Sequence, residues 1–357
     1  MLILSNEAIA DLITMRDCLE VLEPMYRDLA TGRALPSPRV DSISPNAHPD
    51  GYYAFKQMGG TWPARGIQAL RINSDVITHP VIAGMPRRVK TPLADGRWVG
   101  LVFLFSTETG ALLAIFPDGV AQRLRVGAAN GLALKHMARE DSHTLALIGT
   151  GWQAGAQLMA ALAVRPFTRV QVYSPRAQSR GAFVAEARAA NPQVEIVDVD
   201  SAERCVQGAD VIMASTSSLV PVIKPEWVRP GIHVSCIKAQ EFDQAVLDRC
   251  QRVVIHTRDQ AKQMNNVMPG TPNVASQYET GWWNAEGNRF STYPDLGMLL
   301  AGMAQGRQNA DESTAFANNI GLGLQFAAVG ALILEKARSA GIGEQLPDVW
   351  FSEDAHP

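Results

Sequence analysis

Gly149-Thr150-Gly151-Trp152-Gln153-Ala154 is a glycine-rich turn of GxGxxA form, set between the apolar run His143–Ile148 and an alanine-rich stretch, Ala154–Val164. Gly149 permits a tight turn, Gly151 lets the backbone approach a diphosphate, and Ala154 lets helix and strand pack closely. Free amides and the positive end of the helix dipole then favour phosphate. Dinucleotide binding is the expectation. The alternatives are a glycine turn without a cofactor, or a methyltransferase using the same turn for S-adenosylmethionine. After the next apolar run come Tyr173-Ser174-Pro175-Arg176, with Arg180 behind. An NAD site usually has an acid there to accept from the ribose 2′-OH, whereas a guanidinium can hold a 2′-phosphate. NADP(H) is therefore favoured over NAD(H), unless both arginines are only a solvated helix face.

The elements that must carry this turn are legible around it. Short apolar runs at His143–Gly149, Arg169–Tyr173, Val194–Val199, Asp210–Ala214, Ile232–Ile237 and Arg252–His256 read as strands buried on both faces. Ala154–Val164 and Ala177–Ala190 separate the first three as helices, which argues for a doubly wound α/β domain. Ligands gather at the carboxyl ends of such strands, so Thr216 and Ser217 are further cofactor candidates near the nicotinamide ribose.

Before this domain, Asn6–Thr31 reads as two helices, Pro36–Val40 as a break, and Gly51–Phe55, Gly66–Ile72 and Trp98–Phe105 as strands. Ser74–Arg97, with its basic cluster Arg87, Arg88 and Lys90, reads as a solvated turn without chemistry. A helix at Gln122–Arg139 leads into the second domain. Asp259–Pro294, with Trp282 and Trp283, is a loop or lid, and helical periodicity returns at Asp295–Gly306 and Glu312–Ala340. Gly321, Gly323 and Gly330 there suit closely packed backbones.

Composition excludes several classes. Hydrophobic residues are 46% and charged residues 19% of 357, an ordinary globular balance rather than that of a disordered chain. With a formal charge of -3, no positive field draws nucleic acid or anionic membrane. Four cysteines without a CxxC pair and seven histidines without HxH or HxxxH spacing give no sign of a metal site or a disulfide framework. No leader pattern or long apolar span is seen. A cytoplasmic protein with no membrane, metal or nucleic-acid partner is expected.

Three ordered segments, Thr107–Ala114, Gln122–Asn130 and Leu145–Ala154, together with Asp295-Leu-Gly and Asn319–Gln325, resemble the ornithine cyclodeaminase/mu-crystallin family over nearly the whole chain. The resemblance implies a Rossmann domain, residues 122–317, inserted in an α+β substrate-binding and dimerisation domain, residues 1–121 plus 318–357. It also implies a homodimer and a hydride moved between a nicotinamide and the α-carbon of a small amino or imino acid. Basic side chains grip the substrate carboxylate in such proteins; by position these are Arg39, Arg125 and Arg71, the last where the family usually has Lys. Lys56 is a rival for the role of Arg71. A carboxylate in a partly dry cleft needs charge-assisted, preferably paired hydrogen bonds. The competing readings are an interhelical ion pair for Arg125 and surface pairs for Arg39 and Arg71.

Departures from the resemblance bear on the reaction. Where cyclodeaminases carry an acid after the fifth strand, the best register here gives Gln240, and Glu241 if it slips by one. An amide is no general base, and Arg71 cannot cycle a proton. Arg71, Gln240 and Glu241 are the catalytic candidates by position, the first two favouring imine reduction over cyclodeamination, and Tyr53, Met58 and the late loop are the candidates for side-chain specificity. The expected activity is an NAD(P)(H)-dependent oxidoreductase of the ketimine reductase or amino-acid dehydrogenase type. The alternatives are an ornithine cyclodeaminase that recycles NAD and releases ammonia, and a non-catalytic NADP-binding protein.

Overall fold

The computed structural model describes residues 1–48, 50–82, 84–258, 264–272 and 289–355. Trp282, Trp283 and most of the expected late loop fall outside them. The chain opens with β1 (Leu2–Ile3), α1 (Asn6–Leu12) and α2 (Met15–Ala30). Ser5 caps α1, and Thr14 with Asp17 forms a reciprocal capping box on α2, satisfying amides that a helix start leaves unpaired. Three long strands follow, β2 (Leu35–Pro45), β3 (Gly51–Trp62) and β4 (Ile67–Thr78), paired antiparallel in that order. The Pro-rich segment read as a break is thus a strand. It tolerates Pro38 because its pairing with β3 is irregular between Ser37 and Val40, and Pro36 because β16 pairs with the other side of β2 at Val40–Ile43 and not there.

Ser74–Arg97 is not a simple turn either. Its first residues extend β4, then β5 (Val81–Ile82) and β6 (Met85–Pro86) form a hairpin, and β7 (Val89–Thr91) returns along β4. We call residues 81–91 the arm. β8 (Val99–Ser106) and β9 (Leu112–Pro117) continue the sheet, which runs on beyond β9 through β1, and α3 (Gly119–Met137) leaves it.

The second domain is built on β10 (Thr144–Ile148), α4 (Trp152–Val164), β11 (Arg169–Tyr173), α5 (Ala177–Ala190), β12 (Glu195–Asp198), α6 (Ala202–Val206), β13 (Val211–Ala214), β14 (His233–Cys236), α7 (Gln244–Asp248) and β15 (Arg252–Ile255). β16 (Met264–Val267), from the segment expected to be loop, instead pairs parallel to β2 in the first sheet. After α8 (Leu296–Leu300) comes β17 (Thr314–Ala317), then α9 (Leu324–Ala340) and β18 (Glu344–Gln345).

Among the described residues the second sheet has seven strands, all parallel, in the order β12-β11-β10-β13-β14-β17-β15. β17 corrects the expected helix over Glu312–Ala340, which starts only at Leu324. A four-residue strand buried on both faces, Thr-Ala-Phe-Ala, shows no alternation and is indistinguishable by period from a helical fragment. Leu145 and Leu147 enter one core cluster and Ala146 and Ile148 another, as a sheet covered on both faces requires. A third and larger cluster joins the first sheet to α2, α3 and α9. The start of α9 lies directly on β3: a Cβ at Gly323 would collide with the Gly59 backbone, so glycine there sets how closely the last helix approaches the sheet.

Candidate functional site

β10 ends in the glycine turn. Gly149 has φ 120°, a conformation that side chains rarely adopt, and a Cβ on it would strike the Ser215 carbonyl. Its amide donates to the Tyr173 carbonyl at 2.8 Å, which fixes the turn to the next strand. Gly151 begins α4 and a Cβ there would meet only open space, leaving the helix-start amides approachable. Thr150 Oγ1 donates to Ser174 Oγ at 3.0 Å. Gln153 Oε1 is buried without a partner among the described residues. A cavity of about 560 Å³ runs along this edge, lined by Gly149, Thr150, Gly151, Trp152, Gln153, Ser174, Arg176, Thr216 and Ser217. Ala154 is buried beneath it against the strand core. The turn and the open Gly151 beside the helix-start amides suit a dinucleotide diphosphate. The Trp152 ring is exposed and lies 4.0 Å from the Arg123 guanidinium, so its backbone rather than its ring faces the turn.

Ser174 and Arg176 stand at the end of β11, but Arg180 turns inward. It donates to the Ser174 carbonyl at 2.7 Å and pairs with Asp198.

Gln240 is half-buried on the loop after β14. Glu241 is fully buried, and its carboxylate accepts from the Thr216 amide at 2.5 Å and the Ile237 amide at 2.8 Å. It therefore ties the loop after β13 to the loop after β14, with both oxygens engaged. Burial pushes its carboxyl above the usual range, and the Lys238 charge opposes that. Lys238 itself is pushed down to about 8, by burial first.

The basic candidates form a second constellation, outside the cavity lining. β3 and β4 bring Lys56 and Arg71 onto the buried face of the first sheet, with Met58 opposite Arg71 in register. Tyr53 alternates to the other face and bonds Ser74 at 3.1 Å. Arg71 is 5% exposed; its Nε donates to Asp118 at 2.7 Å, and Asn73 donates to the same carboxylate oxygen at 3.2 Å. Lys56 pairs with Asp75 at 3.0 Å, as does Lys90 from the arm at 2.9 Å. Arg39 forms a two-point pair with Asp41, at 2.8 and 2.7 Å.

Arg125 differs from all of these. It is 2% exposed, and its guanidinium donates to Gln122 Oε1 at 2.5 and 3.1 Å and to Gln325 Oε1 at 2.6 Å. No acid pairs with it among the described residues, so the interhelical ion pair is not found. Burial, then Arg71, push it down to about 9, and it stays charged at neutral pH.

The sequence reading missed the groups that hold these cations. Gln325 Nε2 donates to Tyr26 Oη at 2.9 Å, and Tyr26 bonds His256 at 2.5 Å. Gln325 lies in a segment quoted for the family resemblance; Tyr26, His256 and Asp118 carried no local signal. Arg87, read as part of a solvated turn, is buried and lines the cofactor cavity.

Comparison with known proteins follows the same lines. The model of the ornithine cyclodeaminase/mu-crystallin family matches residues 1–341. The chain belongs to that family. An alanine dehydrogenase of Archaeoglobus fulgidus is 30% identical over 358 positions, covering 97% of this chain and 98% of that protein. The structure of Thermococcus litoralis Δ1-pyrroline-2-carboxylate reductase with NADH and L-proline matches with TM-score 0.78 at 24% identity, covering 97% of this chain and all of that one (100%). An archaeal alanine dehydrogenase dimer with bound NAD matches at 0.74 and 26% identity, over 97% and 99% of the two chains. Within the ornithine cyclodeaminase/mu-crystallin family, this chain is an oxidoreductase with a Rossmann domain, as the motifs led us to expect. Among the described residues no helix is long and apolar enough to cross a membrane.

Proposed function

We propose that the protein is an NAD(P)(H)-dependent oxidoreductase acting at the carbon–nitrogen bond of a small amino or imino acid. One observation carries the reading: Arg125 is a buried guanidinium whose hydrogen-bond partners among the described residues are neutral amide oxygens. A buried charge without a counter-charge is costly, and a substrate carboxylate supplies the missing anion. Arg71, with Asp118 steering it, and Arg39 would complete the grip, and Lys56 would set the field through Asp75. Gly149, Thr150, Gly151, Trp152 and Gln153 would hold the cofactor diphosphate. Ser174 and Arg176 would hold the ribose end, which favours NADP(H). Thr216 and Ser217, fixed through Glu241, would border the nicotinamide ribose. The nicotinamide, when bound, exchanges a hydride with the substrate α-carbon.

Lys238 is our assignment for the proton. It follows Ile237, which lines the cavity, at the carboxyl edge of β14, and both of its protonation states are populated near neutral pH. Glu241 acts as a positioning residue, and Gln240 supplies no base. That combination disfavours cyclodeamination, because the expected acid after β14 is occupied by backbone amides. The proposal includes a cytoplasmic homodimer, with residues 1–121 and 318–357 as the substrate and dimerisation part and 122–317 as the cofactor part, less β16.

The deciding experiment follows NAD(P)H absorbance and ammonia together over a panel of 2-imino acids, formed from 2-oxo acids with amines, and of amino acids including ornithine. Net nicotinamide oxidation or reduction supports the proposal. Ammonia from ornithine without net nicotinamide change would replace it with the cyclodeaminase reading. Tight cofactor uptake without any turnover would leave a binding protein.

A further inference from the structure

We propose that Arg87, delivered by the arm of the first domain, joins Arg176 in holding the 2′-phosphate of NADP(H). This rests on the dinucleotide reading above and extends it to a wall of the site that lies outside the Rossmann fold.

The arm is anchored at both ends. β7 pairs with β4 in the first sheet, and Arg87 makes an isolated antiparallel β-bridge with Ser218, in the loop after β13. The Arg87 amide also donates to the Pro80 carbonyl at 2.9 Å. The backbone at Arg87 is therefore fixed against the cofactor domain, and its side chain borders the same cavity as Ser174 and Arg176. Arg87 is 7% exposed, yet no ion pair or side-chain hydrogen bond is found for it among the described residues. Arg176 also has neither among these residues.

The contrast with other arginines nearby is sharp. Arg180 takes Asp198, Arg71 takes Asp118, Arg39 takes Asp41, and Arg125 takes two amides. Arg87, with little exposure and no acid beside it among the described residues, and Arg176, exposed on the same cavity, leave two cations there for an anion. Burial first, then the Arg176 charge, lowers the Arg87 pKa, and both arginines line the cavity beside Tyr173, the last residue of β11. That is where the adenosine ribose is read in this fold. Two guanidiniums with Ser174 in place of an acid suit a dianion. A 2′-OH, with nothing acidic to accept its proton, gains nothing from them.

The test is equilibrium binding to the full-length protein, read by fluorescence titration with NADPH and NADH, and by competition with 2′,5′-ADP against 5′-ADP. Arg87→Gln should weaken NADPH and 2′,5′-ADP about tenfold or more, and NADH and 5′-ADP less than about threefold. Arg176→Gln should do the same. Arg87→Lys, which keeps the charge and lacks the paired donors, should fall between and also tests the proposal if the Gln variant does not fold. Equal weakening of NADPH and NADH, or no change in either, overturns the inference. Wild-type protein that binds neither nucleotide would instead overturn the dinucleotide reading beneath it.

Discussion

Arg71 and Arg125 share one aromatic ring: their guanidinium carbons lie 5.7 and 5.1 Å from the centroid of Phe326. They come from a strand and a helix of different parts of the fold, and Phe326 sits at the start of α9. The ring keeps two like charges in a fixed relation, while Asp118 neutralises only one of them.

Because Arg125 has no acid partner among the described residues, its loss should fall on the substrate and not on the cofactor. Arg125→Ala is expected to lower kcat/KM roughly 100-fold, with nicotinamide cofactor affinity changed less than about twofold. Arg71→Lys should cost about tenfold, since a Lys can still meet Asp118 but offers no paired donors. Steady-state kinetics beside fluorescence titration of the cofactor separates the two effects. Loss of cofactor binding in Arg125→Ala would contradict the assignment.

Glu241 is expected to reveal itself as a tie between loops. Glu241→Gln puts an NH2 group against one of the two backbone amides it now accepts from. The misplaced donor should cost about 1–3 kcal/mol of stability and raise KM for the cofactor more than KM for the acid substrate. Thermal denaturation and the two KM values check this. An unchanged melting midpoint with kcat abolished would make Glu241 a catalytic residue instead.

Acid should destabilise the fold through two buried imidazoles. Burial pushes His256 down to about 4 and His233 to about 3, from an ordinary 6.5. The unfolded chain takes up these protons below about 6.5 and the folded chain does not, so stability falls as pH drops through that window. For His256 alone the loss by pH 4 is roughly 3 kcal/mol. Melting midpoints from pH 7 to pH 4.5 should decline, and His256→Asn should decline less steeply.

Lys238 is pushed down to about 8 from an ordinary 10.5. As the acid that donates a proton during reduction, it is competent below that value, so reductive kcat should fall as pH rises through about 8. Lys238→Met should remove this limb and lower kcat, with carboxylate affinity retained. A pH profile unchanged in the variant would discard the assignment.

The glycine turn and its flanking strands were legible because their signal is local: six consecutive residues state a backbone path and its ligand. The cation cluster was readable only as single arginines, since what holds them is remote. Arg125 and Gln325 are 200 positions apart, and no period or spacing links them. β2 was missed because Pro36, Pro38 and Pro45 mask a strand that takes Pro38 at an irregular register and the other two near its ends. Arg87 was misread because a Pro- and Gly-bearing segment resembles solvent-exposed chain until its partner domain is present.

β17 is inserted between β14 and β15 although it follows both in the chain. Until residue 317 has emerged from the ribosome, β15 has, among the described residues, just a single bridge to Asp295, and β14 keeps an open edge. The residues that follow β17 at once include Gly321, packed on the Arg125 guanidinium, and Gln325, which holds it. Closing the sheet and furnishing the anion pocket are therefore one event, and a nascent or truncated chain ending before this strand would have neither.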